Sequence, residues 1–253
     1  MGNGAFIRPI ITKFFKEADL PFYKKGNFQF GTLQRYRKLE GSDVEARFRD
    51  VREGVPENDY NFISGCGFSG VVGDNVFKNC NFAGPGAAIA VRHEINEHVI
   101  CFCRGPYSSQ QHSAMREGAA NNAGTMYEGD LKLTHFAEID WNLFLKAVSA
   151  KLKETGSEED FGGDPILYGH IGYGDTKKSS LLGAQFDIKI NGVSQEDYMR
   201  TIFTKPDYFS PENEHRIVLR KNFPFFLEAD SEPLNLCSKQ LRRSIVRIGS
   251  VPA

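Results

Sequence analysis

A chain of 253 residues, 40% hydrophobic and 25% charged, has the composition of a globular protein and the length to bury a sizeable core. A net charge of −1 gives no global basic field of the kind that advertises a nucleic-acid binder. Five cysteines with no CxxC pair and no HExxH do not read as a disulfide framework or a structural zinc site, so the expectation is a reducing, cytoplasmic setting with no metal.

The opening Met-Gly-Asn-Gly-Ala-Phe has no charged segment leading into an apolar one, so no signal peptide is expected. Phe6 stands where a myristoylation signal needs Ser or Thr. No apolar run approaches bilayer length, and no membrane association is expected.

Along the chain, Ile10 to Ala18 carries apolar residues at 10, 11, 14, 15 and 18, a spacing that predicts a helix. Gly26, after two lysines, is a stop. Asn27 to Leu33 alternates apolar and polar, which predicts a strand. Residues 34–60 form a long charged connection, the kind of segment that tends to carry function. From Asn61 to Ile95, short apolar pieces broken by glycines predict hairpins or a meander. His98 to Cys103 is a nearly continuous apolar run, predicted as a buried central strand. Residues 104–130 are small and polar and read as a loop or a short helix around Ser113 to Ala120.

Asp140 opens the clearest helix, capped by its own side chain at the start and by Gly156 at the end. Ile166 to Tyr173 predicts a strand and Ser194 to Phe203 a helix. Next come the strand holding Glu214 and a strand-like tail at Ser244 to Ile248. No repeat and no composition break divides the chain. The fold class is a single α+β domain over residues 1–253, with a predominantly antiparallel mixed β core and flanking helices.

The chemistry-bearing residues narrow by elimination. There is no GxGxxG between a strand and a helix, no GxxxxGK[ST] and no GxSxG, which disfavours a Rossmann or P-loop nucleotide site and a serine hydrolase. Cys101 and Cys103 would share one face of an apolar strand and read as inert core. The histidines are scattered; His93 and His98, with Glu94 and Glu97 between them, suit a metal or a plain turn equally. Arg35-Tyr36-Arg37-Lys38 and Lys239-Gln240-Leu241-Arg242-Arg243 are local basic patches that read as solvated surface.

The richest polar set is Glu212-Asn213-Glu214-His215-Arg216, together with Arg35, Arg37, Arg47, Arg49 and Asp50. In a strand, Glu212, Glu214 and Arg216 would line one face. Two converging carboxylates split their proton affinities and can take different roles. Arginines clamp phosphates in a bidentate manner, which suits an anionic ligand. The plain alternative is an exposed strand edge with alternating charges.

Three strings carry a resemblance: Phe30-Gly31-Thr32-Leu33-Gln34-Arg35-Tyr36-Arg37, Val99-Ile100-Cys101-Phe102-Cys103, and Lys205-Pro206-Asp207-Tyr208-Phe209-Ser210-Pro211-Glu212-Asn213-Glu214-His215-Arg216, with Arg49-Asp50-Val51-Arg52-Glu53-Gly54 between the first two. Along most of its length the chain resembles a bacterial and phage-defence family with a late FSxExExR motif. That family is similar to ADP-ribosyltransferase-fold proteins, including toxins of the DarT kind. The resemblance implies an ADP-ribosyltransferase-like fold and NAD as substrate. Glu214 matches the late catalytic glutamate and Glu212 the carboxylate before it. Arg35 or Arg37 matches the first-strand residue that touches NAD, with Arg49 as a further phosphate contact. Tyr107 and Tyr173 both suit the middle-strand position. Cys103 stands where the family shows serine, and Gln111 to Arg116 replaces its usual Trp-His-Tyr block, so the chain departs from the pattern at the acceptor side.

The first expectation is therefore an NAD-dependent mono-ADP-ribosyltransferase, a toxin or effector of anti-phage defence. It would modify a nucleic-acid or protein acceptor and have a neutralising antitoxin partner. The second is a non-catalytic adaptor in which Glu212, Glu214 and Arg216 are a structural ion-pair ladder. A third is a metal-dependent nuclease using Asp50, Glu53 and Glu214.

Overall fold

The computed structural model describes residues 9–38, 57–62, 67–72, 75–81, 88–92, 95–122, 133–155, 165–174, 178–182, 186–189, 195–205, 207–220 and 232–252. In chain order, β1 (Ile10–Phe15), α1 (Leu20–Lys25), β2 (Asn27–Thr32) and α2 (Leu33–Lys38) precede β3 (Glu57–Phe62), β4 (Gly67–Val72), β5 (Asn75–Asn81) and β6 (Ala88–Arg92). Then come β7 (His98–Arg104), α3 (Ser109–Asn122), β8 (His135–Asp140), α4 (Trp141–Glu154), β9 (Ile166–His170), β10 (Gly172–Tyr173), β11 (Lys178–Leu182) and β12 (Phe186–Lys189). The chain closes with α5 (Gln195–Ile202), β13 (Thr204–Lys205), β14 (Glu214–Leu219), β15 (Leu234–Cys237), α6 (Lys239–Ser244) and β16 (Ile245–Ser250).

The architecture is mixed α+β and mostly antiparallel, as the sequence leads one to expect. An eight-stranded sheet runs β15-β2-β7-β1-β8-β16, and β14 pairs with both β7 and β9. Two three-stranded sheets, β11-β3-β6 and β12-β4-β5, and the short pair β10-β13 complete it; their parallel pairs are β11 with β3, β12 with β4 and β10 with β13. Among the described residues no helix is long and apolar enough to cross a membrane.

β7 is the hub. β14 occupies one whole edge, from Glu214↔Cys103 to Leu219↔His98. The other edge is shared: β2 pairs at Val99 and His98, and β1 pairs at Cys103 and Arg104. The sheet therefore forks beside Cys101. Its carbonyl, which neither β1 nor β2 reaches, accepts a 2.8 Å hydrogen bond from the Lys13 ammonium. A buried backbone carbonyl must find a partner, and Lys13 supplies it from within β1.

Both faces of the central strands are covered. On one face Ile100, Phe102, Ile217 and Leu219 pack under α4, whose Phe144 meets Phe28 and Phe102 edge to face at 4.7 and 5.3 Å. On the other, Val99 and Val218 pack against Tyr198 and Ile202 of α5. Full burial of each large apolar side chain contributes roughly 1.5–3 kcal/mol.

Two-sided burial explains the main error of the sequence reading. Ile10 to Phe15 is a strand, not a helix. Ile11 and Phe15 enter the α4-side core while Phe14 joins a cluster with Cys103 and Phe136. Apolar residues on both faces erase the alternation that marks a half-buried strand. β3 pairs with β6 around the β4-β5 hairpin, so the 61–95 segment is not a simple meander. The Asp140 cap is present, its carboxylate accepting from the Leu143 N–H at 3.0 Å; Gly156 lies outside the described residues.

Gly26 stops α1 in the left-handed region, at φ +74°. A Cβ there would sit 2.5 Å from the Arg242 backbone nitrogen. Gly26→Ala is expected to cost at least roughly 1–2 kcal/mol from the backbone conformation alone, with more from the collision with α6. Denaturant unfolding should show a lower midpoint at unchanged slope; an unchanged midpoint would contradict this packing of α1 on α6.

Candidate functional site

The site grows from a charge problem. Glu214, Arg216 and Lys205 are each at most 5% exposed, on the face of the sheet that α5 covers. Burying a charge costs several kcal/mol unless it is paired and hydrogen bonded. Here pairing is complete on both sides of Glu214. Its Oε1 accepts from Arg216 Nε at 2.7 Å and its Oε2 from Lys205 Nζ at 2.8 Å. Arg216 also donates at 2.6 Å to the carbonyl of Ile202, at the C-terminal end of α5, where helix carbonyls lack intrahelical partners.

Glu212 reaches the same lysine by a different route from the one alternation suggests. It ends a 3-10 turn, Asp207–Glu212, rather than standing in β14. Asn213 follows in the left-handed region, at φ +43°, a conformation Asn tolerates better than most side chains. That bend brings Glu212 Oε2 to 3.1 Å from Lys205 Nζ. One ammonium thus serves two carboxylates. The expectation of three residues on one strand face is corrected: Glu214 and Arg216 share a face, and Glu212 joins through the turn. The exposed-edge alternative is also corrected, because β14 lies between β7 and β9 with all six residues buried.

The two carboxyls differ in proton affinity. Burial would raise Glu214, but Arg216 and Lys205 outweigh it and hold its carboxyl well below the usual range. For Glu212, burial and the neighbouring Glu214 charge outweigh Lys205 and push it up to about 7. Burial, with the Glu214 carboxylate beside it, pushes the Cys101 thiol up to about 12. Cys101 is therefore a protonated thiol, not a nucleophile.

These groups open onto a cavity of about 220 Å³, lined also by Thr12, Lys13, Phe14, Cys103, Met115 and Leu133. Three cations (Lys13, Lys205 and Arg216) and two carboxylates share its wall. The α3 side is tied to the carboxylates through Gln111, whose Nε2 donates to the Glu212 carbonyl at 3.3 Å.

Of the tyrosines named from sequence, Tyr173 is at the site: its hydroxyl accepts from the Glu214 N–H at 2.8 Å, and β10 pairs it with Lys205. Tyr107 stacks on Phe136 with ring centroids 4.0 Å apart and meets Phe14 edge to face, one residue away from the cavity wall. Arg35 is exposed at the start of α2 and does not line the cavity. The Arg37 side chain and all of Arg49, with Arg47, Asp50 and Glu53, lie outside what is described. Sequence reasoning gave no role to Lys205 or Lys13. A lysine inside the otherwise apolar run IITKFF was a usable signal for Lys13. Lys205 opens the third string that carries the resemblance, but its role across the turn has no local sign.

No protein-family model matches the chain, and no curated protein or solved structure matches it either.

Glu212→Gln tests the split. An unfolded glutamate titrates near 4.5 and the folded Glu212 near 7, so the folded state binds the extra proton and Glu212 costs stability as pH rises through that window. The stability of Glu212→Gln relative to wild type should therefore climb between about pH 4.5 and 7 and level off above it. A difference that stays flat across that range would contradict the raised affinity.

Proposed function

We propose that the chain is an NAD-dependent mono-ADP-ribosyltransferase and, following the family resemblance, an effector of anti-phage defence that modifies a nucleic acid or a protein. The observation that carries this reading is the carboxylate pair of split proton affinity around Lys205, at the wall of a cavity. Group transfer at an anomeric carbon needs two such groups. One must stay ionised to stabilise the positive charge that develops as the glycosidic bond to nicotinamide breaks. Glu214, fixed by Arg216 and Lys205, has that property. The other must take the proton from the attacking acceptor as its bond to the sugar forms. Glu212, poised near 7, has that one.

At about 220 Å³ the cavity is smaller than the roughly 300–1,000 Å³ of whole-ligand clefts. On this reading it takes the nicotinamide–ribose end of NAD, with the diphosphate and adenosine outside it; Arg35, Arg37 and Arg49 are the diphosphate contacts that the family resemblance implies. Tyr173 holds the backbone of Glu214 and so acts as a positioning residue.

A second reading, a non-catalytic adaptor with a structural ion cluster, is favoured by one observation: every charge of Glu214 is already matched by Arg216 and Lys205. On that reading Glu214→Gln loses stability, by up to about 3–5 kcal/mol for a broken buried pair, and there is no activity to lose.

The test is nicotinamide release from NAD, with and without added RNA, DNA and cell lysate. The expected result is release that requires a macromolecule and falls about 10²–10³-fold in folded Glu214→Gln. The rate should rise with pH to a plateau above about 7, as Glu212 becomes ionised, and Glu212→Gln should remove that limb. Folded wild-type protein that neither binds NAD nor releases nicotinamide under any condition overturns the transferase.

A further inference from the structure

The carboxylate site uses one side of β14. His215, between Glu214 and Arg216, turns to the other side, as strand alternation requires, and its ring meets Trp141 of α4 edge to face at 4.4 Å. Directly opposite on β9 stands its register partner, His170. β9 is an outer strand: among the described residues it pairs with β14 alone. His215 is buried and His170 is exposed, so the pair opens to solvent on the His170 side.

The two Nδ1 atoms are 2.8 Å apart, and the ring centroids are 4.4 Å apart with their planes tilted by 57°. A straight N–H···N bond of that length adds a ring radius at each end and would hold the centroids about 5 Å apart. The rings are closer than that, so the two nitrogens do not point along the line that joins them. They fit a meeting point to one side of it. Two nitrogens bound to one ion at a right angle, each about 2.0–2.1 Å from it, are about 2.8–3.0 Å apart, with the ring centroids about 4.5 Å apart. Both separations in the pair match this. A tetrahedral angle would spread the nitrogens to about 3.3 Å. The right angle belongs to the tetragonal geometry of Cu(II) and Ni(II).

The pair is also prepared to bind. Metal ligation needs neutral imidazole. Burial, and after it the neighbouring charges, hold His170 below the ordinary range and bring His215 down to about 4. Arg104, the nearby cation, is exposed and screened by water, and the Glu214 charge opposes it. Without an ion, one Nδ1 carries the shared proton and the other accepts it. On binding, that ring moves its proton to Nε2, and both lone pairs become free with no net proton released. No third His, Cys, Asp or Glu completes a cluster with them among the described residues, so water fills the remaining positions.

We infer that His170 and His215 form a two-imidazole site for a divalent transition metal of tetragonal preference, Cu(II) or Ni(II), which clamps β9 to β14. The inference does not rest on the transferase reading, and no group proposed for catalysis is a ligand. It touches that site through the backbone. Just after His170, the Ile171 N–H donates to the Glu214 carbonyl at 3.1 Å, and the Tyr173 hydroxyl accepts from the Glu214 N–H. A bound ion therefore fastens the segment that holds the Glu214 backbone.

The chain carries its own reporter, because Trp141 is its only tryptophan and a Cu(II) ion at the pair quenches an adjacent indole. The experiment is titration of the full chain with Cu(II) alone, followed by tryptophan emission and by EPR of the bound ion. The expected result is quenching that saturates at one ion per chain, with a spectrum showing two imidazole nitrogens. Ni(II) should compete and Mg(II) should not. His170→Ala, at an exposed position, should weaken binding about a hundredfold or more, since losing even an outer-shell partner typically costs about 10–100-fold. Cys237→Ser, which removes an exposed thiol, should bind as wild type does. The readout needs no NAD, so its failure is distinct from failure of the transferase. Three results overturn the site: no quenching at stoichiometric Cu(II), quenching unchanged in His170→Ala, or a bound ion with thiolate ligation that is lost in Cys237→Ser.

Discussion

One ammonium group organises this molecule's chemistry. Lys205 lies on the short strand β13, within 3.1 Å of both Glu212 and Glu214. Two carboxylates held this close cannot ionise with equal ease. Arg216 decides which of them stays charged, because it pairs with Glu214 at 2.7 Å. The lysine is positioned by backbone on one side, where β13 pairs with β10, and by its contact over the Phe209 ring at 4.6 Å on the other. An arrangement of four charged side chains in the interior is costly as a stabiliser, since well-packed apolar residues often do as well or better. That cost is a physical argument for a functional role, of the kind perturbed buried groups commonly have.

The fork in the central sheet makes room for the site. Had β1 and β2 formed one continuous ladder on β7, the Cys101 carbonyl would be paired and Lys13 would have no place in the core. Because they diverge, Lys13 enters the gap, satisfies that carbonyl and contributes to the cavity wall. The apolar clusters on the two faces hold the fork open. Phe102 and Phe28 reach Phe144 on one face, and Phe14 packs with Cys103 and Phe136 on the other.

The sequence made parts of this legible for identifiable reasons. β7 was readable because it is apolar throughout and short, and α4 because its apolar stripe begins at an Asp cap. β1 was not, because two buried faces destroy the period that distinguishes strand from helix. β8 and β15 pair at positions set by partners far along the chain, and no local signal announces them. Glu214 with Arg216 was visible as a charged pair spaced by two. That Glu212 meets them through a left-handed Asn213, and that both carboxylates converge on Lys205, depends on backbone geometry and tertiary approach, which spacing cannot encode. The basic residues of α6 were visible as a patch.

The central claim is that the carboxylate pair shares one lysine and is split in proton affinity. Its most direct test is a side-chain carbon NMR titration of the glutamate carboxyls in wild type and in Glu212→Gln. The account predicts one carboxyl with its midpoint near pH 7, absent from the variant, and a second that stays ionised to the acid limit of the folded state. Glutamates that all titrate near the ordinary value of about 4.3 would contradict it.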